Sequence, residues 1–510
     1  FFNFFVIIVV TLFGCNKFDN VNSLSSNSTK TTTANIEYKA DPYKLENMQE
    51  ALDILKKEGK FTGKELKANK LYIRIFNPTD SVINLLQKDS IILFNFPLNP
   101  TNEIASLMSN VYYTVIDTGY QLPNNIDYEL LYKVYIPNEE ETELEDIAYK
   151  LTNNGQELQN KGQYNPQGTI NVFSDIKNAY TGAINVGVIA FNYTHISKLV
   201  YTNESGKFVI PSKFRLPVKY TLYFNNNDYK LWYFTTSAIY LMDGWYRELG
   251  TTNINKNERT AWAWLTIFNA AYDYKKYSER EYIPFCSNLK MCYFFSGNGK
   301  NMGATLMLSK TGHTEILKYS LAVLFGLDGF LVGQVFQIIS PDVFFIFNDM
   351  NTITFYSIIF HELAHASHSI NVNSFWWATL TDYEAQSIAC SPHLNEPYQY
   401  GPTSTRGYCS VAESWAEGYS NFLLYNYISQ NKFRPIPENL VFFQNLNWIP
   451  AGIYYDMYDG VTPENFGIND QVEGQNGNII SWKKMFNGLT SNTKSMTDFK
   501  TYISNQFSGQ

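Results

Sequence analysis

Residues 361–365 read His361-Glu362-Leu363-Ala364-His365, an H-E-x-x-H sequence within TITFYSIIFHELAHASHSI (352–370). Phe355, Ile358, Ile359 and Leu363 recur at helical spacing, so this segment is expected to be a helix with one apolar face. Residues i and i+4 of a helix project from the same side, one turn apart. Two imidazoles so placed can hold one Zn²⁺ at about 2.0–2.1 Å, and Glu362 beside them can serve as general base toward a zinc-bound water. The chain has six histidines in 510 residues, and three fall within 361–368, so the clustering itself argues for a site. His368 lies seven residues past His361, more than about 10 Å along a helix. That is too far to share the ion, so His368 is expected to support the site or to line its rim.

A catalytic zinc needs a third protein ligand and an open position. The metzincin pattern would put a histidine ten residues after His361, where this chain has Asn371. Downstream, RGYCSVAESWAEGYSNFLL (406–424) is helical and amphipathic, with Glu413 and Glu417 spaced i, i+4 on one face. This arrangement resembles the gluzincins, zinc peptidases in which a second helix carries two acids. The resemblance implies that Glu413 binds zinc and that Glu417 hydrogen-bonds a zinc-bound histidine, the roles being open to exchange between them. The 47 residues between His365 and Glu413 are closer to the lethal-factor-like gluzincins than to thermolysin-like enzymes. Asp382 and Glu384 are weaker rivals for the ligand. Tyr408 is the first candidate to steady a developing oxyanion, with Arg406 and Tyr419 as alternatives. The strand expected over 342–347 is a candidate edge that could pair with a substrate main chain.

The elements that must position these groups belong to an α+β multidomain chain. A length of 510 residues allows about three domains. Residues 46–163 are expected to form a small α+β domain: a helix over 43–58, strands LYIRIF (71–76) and SIILFNF (90–96), and a charged helical segment over 138–161. Residues 164–245 read as short strands with an Asn203-Glu204-Ser205-Gly206 turn, the pattern of a β-sandwich. TNESGKFVIP there resembles the hairpin of carboxypeptidase-regulatory, transthyretin-like modules. Residues 246–510 are expected to be mainly helical and, on the gluzincin resemblance, zincin-like. They include the helix 258–277 and the apolar segment 319–339. His195, isolated among the strands, is read as a strand or turn residue.

Composition narrows the partners. With 45% hydrophobic and 17% charged residues the chain is a folding, not a disordered, sequence. Its formal charge of −8 speaks against nucleic acid. Residues 1–15, FFNFFVIIVVTLFGC, resemble a bacterial lipoprotein signal ending in a lipobox, which implies acylation at Cys15. Residues 16–45 then read as a Ser/Thr/Asn-rich tether. Cys286, Cys292, Cys390 and Cys409 are an even set that could pair in an oxidising compartment, most locally as Cys286–Cys292 and Cys390–Cys409. The whole order resembles a group of Bacteroidota surface lipoproteins with a C-terminal zinc-metallopeptidase-like domain. The resemblance implies a lipid-anchored outer-membrane or surface enzyme that binds one Zn²⁺ and cleaves peptide bonds. A non-enzymatic surface binder of SusD-like kind and an inactive peptidase scaffold are the competing readings.

Overall fold

Residues 40–61, 65–98, 111–124, 126–154, 162–233, 236–295, 301–311, 340–347, 351–390, 404–430, 452–459 and 480–507 are described by a computed structural model. Cys15, the signal-like run, the tether over 16–39 and the apolar segment 319–339 lie outside these residues, and Cys390 is described in its backbone alone. The last stretch assigned to the tether is packed: Asp41 and Tyr43 are buried, and Asp41 accepts from Thr194 Oγ1 at 2.8 Å and Tyr132 OH at 2.9 Å.

Met48, Ala51, Leu52 and Leu55 recur every three or four residues, and helix α1 (Leu45–Lys57) buries all four. Around it stand β1 (Lys70–Phe76), α2 (Asp80–Lys88), β2 (Val111–Asp117), β3 (Asp127–Val134) and α3 (Thr142–Leu151). The strands form an antiparallel sheet in the order β2-β1-β3. The expected strand over 90–96 is only an isolated bridge, Phe94 to Tyr113.

The next strands are β4 (Gln167–Ser174), β5 (Ala179–Gly182), β6 (Gly187–Asn192), β7 (His195–Ile196), β8 (Val200–Tyr201), β9 (Lys207–Val209), β10 (Lys219–Tyr223), β11 (Tyr229–Tyr233), β12 (Thr236–Ser237), β13 (Ile239–Leu241) and β14 (Gly250–Ile254). They divide differently from the expected sandwich. One sheet runs β13-β10-β6-β7 with β8 beside β6, and another runs β14-β4-β5 with β9 beside β4. The Asn203–Gly206 turn forms, with Gly206 at φ +74° and a Cβ there meeting Ile170 O at 2.0 Å. Its flanking strands β8 and β9 nevertheless belong to different sheets. β14 lies beyond the expected boundary at 245 yet pairs in parallel with β4.

β11 and β12 join a third, mixed sheet with β15 (Leu289–Phe295), β16 (Met302–Thr305) and β17 (Val343–Phe347), in the order β12-β11-β15-β17-β16. The expected edge strand 342–347 is therefore interior. β17 pairs with β15 on one side and β16 on the other, and all five of its residues are buried. Among the described residues the edge on the side of H-E-x-x-H is β16, antiparallel to β17.

The remaining elements are α4 (Arg259–Arg280), a one-turn α5 (Leu308–Thr311), α6 (Thr352–Asn371), α7 (Ser374–Cys390), α8 (Arg406–Gln430), α9 (Gly452–Asp459), α10 (Trp482–Asn487) and α11 (Met496–Phe507). One apolar core runs from Ile170 in β4 through Trp262 in α4 and Phe360 in α6 to Phe499 in α11. The strand region and the helical region thus share a core. Aromatic bulk makes this possible, with Trp262, Trp376, Trp377, Trp415 and Trp482 all essentially buried in it.

The expected disulfides are not made. Cys286, Cys292 and Cys409 are buried free thiols. Cys286 sits in the main core, whereas Cys292 faces the opposite side of the mixed sheet with Trp232 and Phe344. Side chains on opposite faces of a sheet cannot be bridged without moving the backbone. Among the described residues no helix is long and apolar enough to cross a membrane.

Candidate metal centre

Helix α6 carries H-E-x-x-H, and its ends are pinned by contacts remote in sequence. Asn351 caps it through Oδ1, which accepts from Ile353 N at 2.8 Å. Asp175, in the loop after β4, accepts from Thr352 N at 3.0 Å and brings a negative charge to the helix N-terminus. Phe355 stacks on Phe347 of β17 with ring centroids 3.6 Å apart. Trp415 of α8 donates its indole N–H to Ala364 O at 3.2 Å. Tyr274 of α4 hydrogen-bonds Ser367 at 2.9 Å. These contacts hold α6 between the mixed sheet, α4 and α8.

The geometry at the centre follows. His361 Nε2 and His365 Nε2 are 3.1 Å apart. Glu413 Oε2 is 3.3 Å from His361 Nε2, and Glu413 Oε1 is 3.6 Å from His365 Nε2. Tetrahedral bonds of about 2.0–2.1 Å space ligand atoms by roughly 3.3 Å, so these separations leave room for a single small cation between the two imidazoles and the Glu413 carboxylate. His361 Nδ1 lies 3.2 Å from Glu417 Oε2. A carboxylate on Nδ1 fixes the tautomer with the proton there and turns the Nε2 lone pair toward the metal position. Of the two acids, Glu413 faces both Nε2 atoms, and Glu417 faces the far nitrogen of one. His361 keeps 21% of its side-chain exposure against 5% for His365, so the centre opens to solvent on the His361 side.

The electrostatics suit a cation. Burial alone would lower His361, but its hydrogen bonds to the Glu413 and Glu417 carboxylates hold it well above its ordinary value. Burial alone would raise Glu413, but His365 and His361 hold it below the usual carboxylate range. Burial raises Glu362, partly opposed by the two histidines and Thr305. Three carboxyls and two imidazoles converge where one positive ion would satisfy them.

The chain matches no protein-family model and no curated protein.

Other expected residues fall elsewhere. Tyr408 is in the first turn of α8, five residues and about 140° around the helix from Glu413. Its ring packs on Trp376 at 5.1 Å, away from the Glu413 face. Tyr419 stacks on Trp415 at 4.9 Å within the core. Arg406 is the first residue of α8 and lies near Cys409 and Tyr383. His368 is not at a rim. It is fully buried between Trp376 and Trp377, its ring nitrogens are without hydrogen bonds among the described residues, and burial lowers its pKa to about 3.

Three contributors were not foreseen in these roles. Glu384 of α7, rated only a rival ligand, lies against Glu413, and burial followed by the Glu413 and Glu362 carboxylates pushes it well above the usual range. The donor atoms of Glu384, Cys409 and Glu413 lie within 4.8 Å of one another. Cys409 stands four residues before Glu413, a spacing that already placed it on the same helical face. Edge strand β16 supplies the third. Thr305 Oγ1 lies 2.6 Å from the backbone carbonyl of Glu362 and 2.9 Å from its Oε2. A Cβ at Gly303 would meet Glu362 Cγ at 2.5 Å. Only a glycine lets this strand lie against the Glu362 side chain. No local signal in the sequence connects 303–305 to 362.

Proposed function

We propose that the chain is a zinc-dependent peptidase, with His361, His365 and Glu413 as ligands and Glu362 as general base. The observation that carries this reading is the convergence of two imidazole nitrogens and the Glu413 carboxylate, with separations of 3.1, 3.3 and 3.6 Å, and Glu417 on the outer nitrogen of His361. Zinc, when bound, supplies Lewis acidity that activates water and polarises a carbonyl. Glu362 takes the proton and returns it to the leaving amine. Thr305 holds the Glu362 carboxylate, and Glu417 keeps the Nδ1 proton of His361 in place. Among the described residues strand β16, rather than β17, has the unpaired edge along which a peptide main chain could align beside Glu362. Acylation at Cys15 and display at the outer membrane or cell surface, with a peptide or protein as substrate, are part of the same proposal.

The test is elemental analysis of the chain expressed from residue 16. One zinc per chain, lost in His361→Ala, is expected. A folded chain that takes up no zinc when zinc is offered would falsify the reading.

Replacing the Thr305 hydroxyl should slow turnover without moving zinc. Thr305→Val is expected to lower kcat about tenfold at nearly constant KM and zinc content, with Thr305→Ser restoring it. An unchanged kcat in Thr305→Val removes that role.

A second reading has one observation in its favour. Glu384 beside Glu413 is a further carboxyl donor, and its recruitment would close the site and leave zinc to brace the helices. Glu384→Gln separates the two: retained zinc and cleavage are expected of the open site, whereas loss of zinc marks the closed one.

A further inference from the structure

Away from the metal centre, the N-terminal module, the strand region and the mixed sheet meet around a cleft of about 1410 Å³. Clefts for single small molecules run to roughly 300–1,000 Å³, so this one has room for a chain of several units. Its lining is unusual for a protein of charge −8. Five lysines face it (Lys70, Lys88, Lys198, Lys230 and Lys290) against two acids, Asp89 and Asp117. Both acids are already engaged. Asp117 pairs with Lys70 at 2.7 Å, and Asp89 accepts from Tyr120 OH at 2.7 Å. Lys88 and Lys198 are exposed and have no side-chain partner among the described residues.

The uncharged lining decides among anions. It consists largely of six carboxamides, five aliphatic hydroxyls and four tyrosines. Such groups donate to and accept from hydroxyls, and of the tyrosines the exposed Tyr201 and the half-buried Tyr120 can offer a ring face to a sugar. Among the described residues no arginine lines the cleft, so they offer no planar fork of the kind that clamps phosphates. The walls are held by bonds between modules: Lys230 Nζ donates to Asn84 Oδ1 at 2.7 Å, Asn225 Nδ2 to Gln87 Oε1 at 3.1 Å, and Gln87 Nε2 to Tyr223 OH at 2.6 Å. A preformed wall lowers the ordering cost of binding.

We infer that this cleft binds an anionic oligosaccharide, a glycan chain bearing carboxylate or sulfate groups, with its charges at Lys88 and Lys198 and its hydroxyls along the amide-lined wall. The inference does not depend on the zinc reading.

Isothermal titration of the full chain tests it, with a chondroitin sulfate hexasaccharide, an oligogalacturonate of equal length, neutral cellohexaose, polyglutamate and single-stranded DNA as probes. At least one charged oligosaccharide is expected to bind, more weakly as salt is raised, with cellohexaose much weaker. Binding by the oligogalacturonate identifies the carboxylate, and binding by the chondroitin sulfate alone identifies the sulfate. The double variant Lys88→Gln/Lys198→Gln is expected to weaken binding about tenfold while zinc content stays unchanged. Three results would overturn the inference: no charged oligosaccharide binding below about 1 mM, undiminished binding by the double variant, or equal binding of polyglutamate or DNA, which would mark general charge attraction or another class of partner.

Discussion

Glu362→Gln is expected to keep one zinc per chain and to lose peptide cleavage by about 10²–10⁴-fold, the range that a positioned general base contributes. The substitution isolates the proton transfer. Glutamine has the shape of glutamate, so it can keep its place against Gly303 and its contact with Thr305 Oγ1. His361, His365 and Glu413 are untouched, so the donor set for zinc stays whole. Only the ability to take up a proton is removed. The structure also bears on the size of the effect. Burial raises the Glu362 carboxyl above its ordinary value, the direction that makes it a stronger base. Elemental analysis alongside mass spectrometry of a peptide library reads both halves of the expectation. A variant that cleaves at the wild-type rate would take Glu362 out of the reaction while leaving the metal site standing.

Acid should unfold the zinc-free chain in part through His368. Burial lowers its folded-state pKa from 6.5 to about 3. A histidine depressed in this way contributes stability above its unfolded pKa of 6.5, and that contribution is lost as pH falls toward 3. His195, stacked on Phe214 at 4.3 Å and lowered to about 4 by burial and then by Lys70, works in the same direction. Asp41 and Asp273, raised to about 6 by burial, work against it, since each favours folding as pH falls from 6 toward 3.8. The clean measurement is therefore a difference. Unfolding free energies of zinc-stripped wild type and His368→Gln are compared from pH 7 downward. The wild type is expected to lose about 1.4 kcal/mol more per pH unit below 6.5, approaching roughly 5 kcal/mol near pH 3. Parallel curves would show that His368 titrates normally, so that its place between Trp376 and Trp377 does not hold it neutral.

Much of this protein was legible residue by residue. The i, i+4 spacings of His361 with His365 and of Glu413 with Glu417 are local facts of helical geometry, and apolar periodicity on both segments marked them as helices. The two helices form at Thr352–Asn371 and Arg406–Gln430. The segments over 43–58, 71–76 and 258–277 formed their expected elements for the same reason.

What the sequence could not determine is which of these elements touch. Glu413 meets His361 because Trp415 seats α8 on α6, a contact spanning 51 residues. Thr305 and Gly303 meet Glu362 because β16 completes a sheet whose strand order does not follow the chain. The strand pattern over 164–245 was correct as strand. Which strands pair was not legible, because alternation reports which residues are half-buried and says nothing of the neighbour across the ladder. The same limit explains the cysteines. An even count permits pairing, but opposite sheet faces separate Cys286 from Cys292. Sequence alone determined which side chains each helix presents on one face. Tertiary structure decided which side chains share one small volume, because that depends on packing between segments that are distant along the chain.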